Sequence, residues 1–149
     1  MPVDTRQLVA SDEAAWRQLW TAYLAFYGTT VPEDVYKTTF ERLLGDDPRD
    51  FSCQLAIVND QPVGLVHYLF HRHGWKVEDV CYLQDLYTAP DARGLGVGRR
   101  LITAVYDAAK AHGTTSVYWL TQEGNTTARA LYDQLATKTD FIKYNGAVE

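Results

Sequence analysis

No stretch of this 149-residue sequence approaches the roughly 20 consecutive apolar residues that span a bilayer, which excludes an ordinary transmembrane helix. Clustered basic charge is also lacking. Fourteen Lys and Arg stand against nineteen Asp and Glu, a formal net charge of −5. A general nucleic-acid or anionic-membrane binder needs the opposite, because neutralising phosphates takes grouped cations. Cysteine is scarce. Cys53 and Cys81 form no CxxC pair and fall in predicted strands, where a buried free thiol is the expected state. Internal repeats, low-complexity tracts and linker-like segments are absent. The opening residues, Met1 to Arg6, are mixed and polar, unlike a secretory leader, so a cytoplasmic protein is the expectation.

What is present is an apolar share of 46% and a charged share of 22%, ordinary for one globular domain with a continuous core, here residues 1–149. The chain reads as alternating strands and helices. Val3 to Val9 forms a first strand, and Ser11 or Asp12 caps a helix whose Trp16, Leu19, Trp20, Tyr23, Leu24 and Tyr27 make one aromatic face ending at Gly28. A second helix runs from Pro32 and Glu33 to about Gly45. Strands follow at 51–58 and 63–70, joined by the turn Asn59-Asp60-Gln61-Pro62, and at 80–88 after the polar connection 73–79. Then come a glycine-rich loop, a helix at about 98–112, a strand at 116–121, a helix from Asn125 to Ala136, and a last strand, Phe141 to Tyr144. Short turns between the early strands imply antiparallel pairing, and the strand–helix–strand unit over 80–121 implies one parallel pair. The fold class is therefore α/β: a mixed, mostly antiparallel sheet with helices on both faces.

The chemistry concentrates in Leu86-Tyr87-Thr88-Ala89-Pro90-Asp91-Ala92-Arg93-Gly94-Leu95-Gly96-Val97-Gly98-Arg99-Arg100. A strand passes through glycines at alternate positions into a helix. Without side chains at Gly94, Gly96 and Gly98 an anion can reach the backbone, where amide N–H groups and the helix N-terminus converge on it. Arg93, Arg99 and Arg100 add positive charge. A P-loop is excluded, since Arg99 follows the last glycine where Lys then Ser or Thr is required. The dinucleotide fingerprint fails too, because counting from Gly96 the third glycine is replaced by Leu101. A glycine-rich turn that merely caps a helix is the competing reading.

Arg93-Gly94-Leu95-Gly96-Val97-Gly98 resembles the pyrophosphate motif of the GCN5-related N-acetyltransferase (GNAT) superfamily: Arg or Gln, two residues, Gly, one residue, then Gly or Ala. The resemblance extends over Tyr82 to Thr88, Val117 to Thr121 and Asn125 to Tyr132, about residues 80–144 in all. It is similar in look to spermidine/spermine acetyltransferases and to fungal acetyltransferases of histone, polyamine or D-amino-acid amines. The resemblance implies acetyl-CoA as cosubstrate, no metal, and transfer to a primary amine of a small molecule, or a lysine-like amine, by direct attack in a ternary complex. It implies that Leu86, Tyr87 and Thr88 meet pantetheine, that Arg93, Gly94, Leu95, Gly96, Val97, Gly98 and Arg99 hold pyrophosphate, and that Asn125, Ala128 and Tyr132 also contact the cofactor. A homodimer through the exposed strand 141–144 is a further expectation. The alternative is a non-catalytic module of the same fold that binds or senses acetyl-CoA.

Acetyl transfer needs a neutral amine and a proton for the departing thiolate. Tyr132 is the candidate acid, a phenol protonated at neutral pH, although Ala128, Leu131, Tyr132 and Leu135 also read as a plain buried helix face. Asn125 suits a helix cap, and its NH2 stays free for a cofactor. The base is open. Gln84 stands where polyamine acetyltransferases carry Glu, and an amide cannot take the proton. Asp85 is the adjacent carboxylate, which strict alternation turns to the other face and a bulge would turn back. Glu123, His67 and a water chain are the other options. His67, His71 and His73 lack a partner set at zinc-like spacing and read as hairpin histidines.

Overall fold

The computed structural model describes residues 1–148. They form two compact units, one ending at Trp119 and the other starting at Leu120. The first contains β1 (Asp4–Gln7), α1 (Glu13–Phe26), α2 (Glu33–Leu44), β2 (Ser52–Val58), β3 (Gln61–His71), β4 (Val80–Thr88), α3 (Val97–His112) and β5 (Val117–Tyr118). The second contains α4 (Thr126–Leu135). No helix among the described residues is long and apolar enough to cross a membrane.

The five strands lie in sequence order in one sheet. β1 to β4 pair antiparallel, and β4 with β5 is the parallel pair. The β2–β3 hairpin closes through Asn59 and Asp60, both at positive φ (49° and 63°), the geometry that lets a two-residue turn follow the strand twist. Asp12 does not cap α1 as its position suggested. Its carboxylate turns back to accept from the Val9 N–H (2.9 Å) and from both Arg6 nitrogens (2.7 and 2.9 Å), which ties β1 to the start of α1. That ion pair holds the Asp12 carboxyl below the usual carboxylate range. Gly28 (φ 72°) and Gly113 (φ 92°) end α1 and α3 in the left-handed conformation, as their placement suggested.

Helices cover both faces, and one pair of neighbours shows it. Leu65 joins the core of Trp16, Leu19, Trp20, Leu24, Phe40 and Leu43 from α1 and α2. The preceding Gly64 faces α3 instead, since successive strand residues point to opposite sides. On that side Val97, Leu101, Ile102, Val105 and Ala109 are buried. A Cβ on Gly64 would lie 2.7 Å from the Tyr87 carbonyl oxygen and 2.8 Å from Val97 Cγ1. The missing side chain is what lets the first turn of α3 rest on the sheet. Gly64→Ala is expected to cost about 2–3 kcal/mol, because a backbone oxygen cannot move aside. Urea denaturation measures it, and unchanged stability would mean α3 can lift without loss.

Two sequence expectations change. The strand foreseen at 116–121 pairs only at Val117 and Tyr118. The strand foreseen at 141–144 does not form: these residues carry no ladder among the described residues, and Phe141, Ile142 and Tyr144 are 83%, 76% and 86% exposed. Apolar, β-prone residues make a strand only when another strand takes up their backbone groups.

Candidate active site

The glycine loop takes the shape that its spacing suggested. After a 3-10 turn at Pro90–Ala92, Gly94 (φ 83°) and Gly96 (φ 81°) both adopt left-handed backbone, and Gly96 is the N-cap of α3. A Cβ on either would meet nothing within 4 Å, so the space above the loop is open. The first intrahelical bond runs from Arg100 N–H to Gly96 C=O (3.0 Å). The Val97 and Gly98 amides precede it and belong to the group that a helix leaves without an internal acceptor. Glycines and helix start together make a concavity of the kind that can take an anion, and Arg93 and Arg99 beside it are exposed. Gly96→Val is expected to weaken acetyl-CoA binding at least about tenfold, because L side chains avoid this φ and the new methyls enter the open space. Calorimetry on the folded variant is the check, and unchanged affinity would move the pyrophosphate elsewhere.

Beside the loop, β4 loses its parallel partner. Pairing with β5 covers Cys81↔Val117 and Tyr82↔Tyr118, and β4 continues to Thr88 with no partner in β5. Leu86, Tyr87 and Thr88 lie on this stretch, half-buried, and lead through Ala89 into the loop. Extended backbone that β5 does not pair with suits an arm that hydrogen-bonds like a strand.

A bulge decides the face of Asp85. The β3–β4 register slips between His67↔Asp85 and Tyr68↔Leu83, leaving Gln84 as the extra residue, exposed. Asp85 is thereby returned to the α1 face. It is 7% exposed, and its Oδ2 lies 2.8 Å from His67 Nδ1. Trp16 on α1 donates its indole N–H to His67 Nε2 at 2.9 Å. Tyr23, also on α1, faces the same carboxylate. Burial first, then that negative charge, hold its phenol far above the usual range. Burial and Asp85 likewise raise the phenols of Tyr27 and Tyr82. The result is one buried carboxylate facing a wall of neutral tyrosines. An ammonium would find both a counter-charge and ring faces there.

Sequence reading named Asp85 and His67 and did not single out Trp16 or Tyr23 within the aromatic stripe of α1. The aromatic stripe of α1 was their visible signal, since it marked the buried face without naming what it faces. Cys53 and Cys81 are both free and buried, and burial pushes the Cys81 thiol up to about 12. His67 is buried in hydrogen bonds, while His71 bonds Tyr118 (2.7 Å) and His73 accepts from the Trp75 amide (3.1 Å).

Asn125, Ala128 and Tyr132 lie in the second unit. Asn125 is the cap foreseen, its Oδ1 accepting from the Ala128 N–H at 3.4 Å. Ala128, Leu131, Tyr132 and Leu135 are half-buried, and α4 has no fully buried residue, so Tyr132 is not a deep core tyrosine. Glu123 accepts from Arg129 through its backbone carbonyl (2.6 Å), and its side chain is exposed.

A glycine loop leading into a helix at the carboxyl end of a parallel strand, with a buried carboxylate close by on that strand, is the kind of place where open α/β sheets bind ligands. A sequence model of the acetyltransferase (GNAT) family matches residues 15–136, and the chain belongs to that family. It is accordingly an N-acetyltransferase of a family that uses acetyl-CoA. Among curated proteins it is 42% identical over 135 residues to the D-amino-acid N-acetyltransferase HPA3 of Saccharomyces cerevisiae, covering 89% of this chain and 83% of that one. It is 26% identical over 144 residues to the uncharacterized N-acetyltransferase YhfO of Bacillus subtilis, with 95% of each covered. Among solved structures, a ribosomal-protein-alanine N-acetyltransferase from Brucella melitensis biovar Abortus superposes with a TM-score of 0.81 at 24% identity, over 99% of this chain and 100% of that one. The aminoglycoside acetyltransferase AAC(6')-Iy, solved with a CoA bisubstrate analog, does so at 0.85 and 20% identity, with 99% of both chains covered. These two likenesses concern the fold.

Proposed function

We propose that this enzyme moves the acetyl group of acetyl-CoA to the primary amine of a small molecule by direct attack within a ternary complex. The observation that carries this is the buried Asp85, turned by its bulge to the tyrosine-lined face beside the unpaired stretch of β4. Residues 1–149 act as one domain in this reading, which the family match across the boundary at Trp119 and Leu120 supports. Acetyl-CoA supplies an acyl group activated as a thioester. Gly94, Leu95, Gly96, Val97, Gly98, Arg93 and Arg99 would hold its pyrophosphate, Leu86, Tyr87 and Thr88 its pantetheine arm, and Asn125 and Ala128 would contact it from α4.

Asp85 draws in the amine as an ammonium and accepts one proton, freeing the lone pair that attacks the acetyl carbon. Tyr132 gives its proton to the thiolate as the carbon–sulfur bond breaks. The second amine proton leaves to solvent, which also takes the proton held by Asp85 and reprotonates Tyr132, so that one proton is released per transfer. The cysteines carry no acyl group here, since a thiol held protonated is a poor nucleophile.

The 42% identical relative named for D-amino acids makes these the first acceptors to test. Thiol release from acetyl-CoA should be followed with D- and L-amino acids, polyamines, aminoglycosides and lysine peptides. Turnover with a small amine is expected. Acetyl-CoA binding with no turnover on any amine would instead make the chain a binding or sensing module.

The exposed apolar run Phe141, Ile142 and Tyr144 supports a homodimer in which this segment gains a strand partner from a second copy. Light scattering is expected to report twice 16.9 kDa at tens of micromolar, and a monomer there would remove the dimer.

A further inference from the structure

We infer that Trp16 and His67 are positioning residues that keep Asp85 a pure hydrogen-bond acceptor aimed at the amine. The inference rests on the reading of Asp85 as base. It starts from an asymmetry in donors. An indole nitrogen can only donate. Because Trp16 Nε1 lies 2.9 Å from His67 Nε2, that imidazole nitrogen must accept, so the ring proton resides on Nδ1. Nδ1 then donates to Asp85 Oδ2 across 2.8 Å. Trp16 therefore selects the tautomer, and the tautomer pins one carboxylate oxygen. Had Nε2 carried the proton, a bare Nδ1 lone pair would face the carboxylate and repel it.

The network is rigid. Trp16 is fully buried, His67 is 2% exposed, and Trp16 is stacked on Trp20 with ring centroids 5.2 Å apart. The groups facing the pair come from every neighbouring element. Tyr23 and Tyr27 stand on α1, Tyr82 on β4, Tyr36 on α2 against Trp16, and Cys53 opposite His67 on β2. Asp12 is a further charge on this side, felt at Cys53 and paired with Arg6. The phenols named here with raised values, and the buried Cys53 thiol, stay neutral across the working pH range. His67 and Asp85 are thus the two groups whose protons decide the site.

Losing Trp16 has a definite chemical consequence. In Trp16→Phe the Nε2 lone pair is bare and can take a proton, and the imidazolium would then neutralise Asp85 as a base. Activity of Trp16→Phe should fall about tenfold more than wild type between pH 8 and pH 6. His67→Leu removes the donor and should lower kcat about 10²-fold with little change in the KM for acetyl-CoA. His67→Gln can donate to Asp85 and accept from Trp16, so it should recover most of that kcat and add no acid limb.

One readout needs no turnover. Nitrogen-15 NMR of the wild-type imidazole should show His67 protonated on Nδ1 and bare on Nε2 at pH 7.5. A proton on Nε2, or an imidazolium, overturns the inference. So does a His67→Leu enzyme with wild-type kcat, or a Trp16→Phe pH profile that matches wild type. A wild-type protein inactive on every amine sinks the catalytic reading instead, while the tautomer is still decided by the spectrum.

Discussion

Asp85→Asn is expected to lower kcat/KM for the amine by about 10³-fold while leaving acetyl-CoA affinity within a factor of two. The substitution keeps shape. The Asn oxygen can still accept from His67 Nδ1–H, so the hydrogen bond that locks the position (2.8 Å in the native protein) is retained. What is lost is the negative charge that attracts an ammonium and the lone pair that removes its proton. Both losses fall on the amine side of the reaction, so KM for the amine should rise as kcat falls. Steady-state kinetics with either substrate varied would separate these effects. A variant with native kcat/KM would mean that the proton leaves by another route, Glu123 or a water chain, and that the buried carboxylate is structural.

Tyr132→Phe should show the complementary pattern. It removes one oxygen and keeps the ring on a helix face that is half-buried, so α4 should retain its packing. Acetyl-CoA affinity should hold. If Tyr132 protonates the departing thiolate, its contribution exists only in the transition state, and kcat should fall about 10²-fold. The lower end of the usual range applies because a thiolate leaves more readily than an alkoxide. The double variant with Asp85→Asn adds information. Losses that multiply would show two independent proton transfers, and a double variant no worse than Asp85→Asn alone would show that one step limits both. Native turnover in Tyr132→Phe would return this residue to a packing role.

The strand, loop and helix from Val80 to His112 could be read from the sequence because their signals are local. Glycine at 94 and 96 is demanded by the chain's own φ angles, and β4 takes the bounds its residues propose. The face of Asp85 could not be read that way. Alternation assumes even pairing, and the bulge at Gln84 is visible only in how β4 pairs with β3. Trp16 meets His67 across 51 positions of sequence, and Tyr23 faces Asp85 from as remote a part of the chain, so periodicity gave their place on the helix face and not their partner. Gly64 was silent for a related reason: what it avoids are Tyr87 and Val97, which come later in the chain. At the carboxyl end, composition suggested a strand at Phe141 to Tyr144, but a strand is a property of two segments, and these residues pair with none among the described residues.

The burial of both sulfurs reaches beyond packing. Cys53 is 1% exposed and Cys81 is fully covered, and burial raises both thiols. Reagents that trap thiolates therefore find no target on the folded protein, whereas the product CoA is released as a free thiol. Thiol captured in a continuous colorimetric assay thus comes from CoA and not from the folded protein. The same seclusion insulates the enzyme from oxidants: peroxide or disulfide stress would reach these sulfurs only through global opening, leaving acetylation governed by substrate supply and not by the redox state around it.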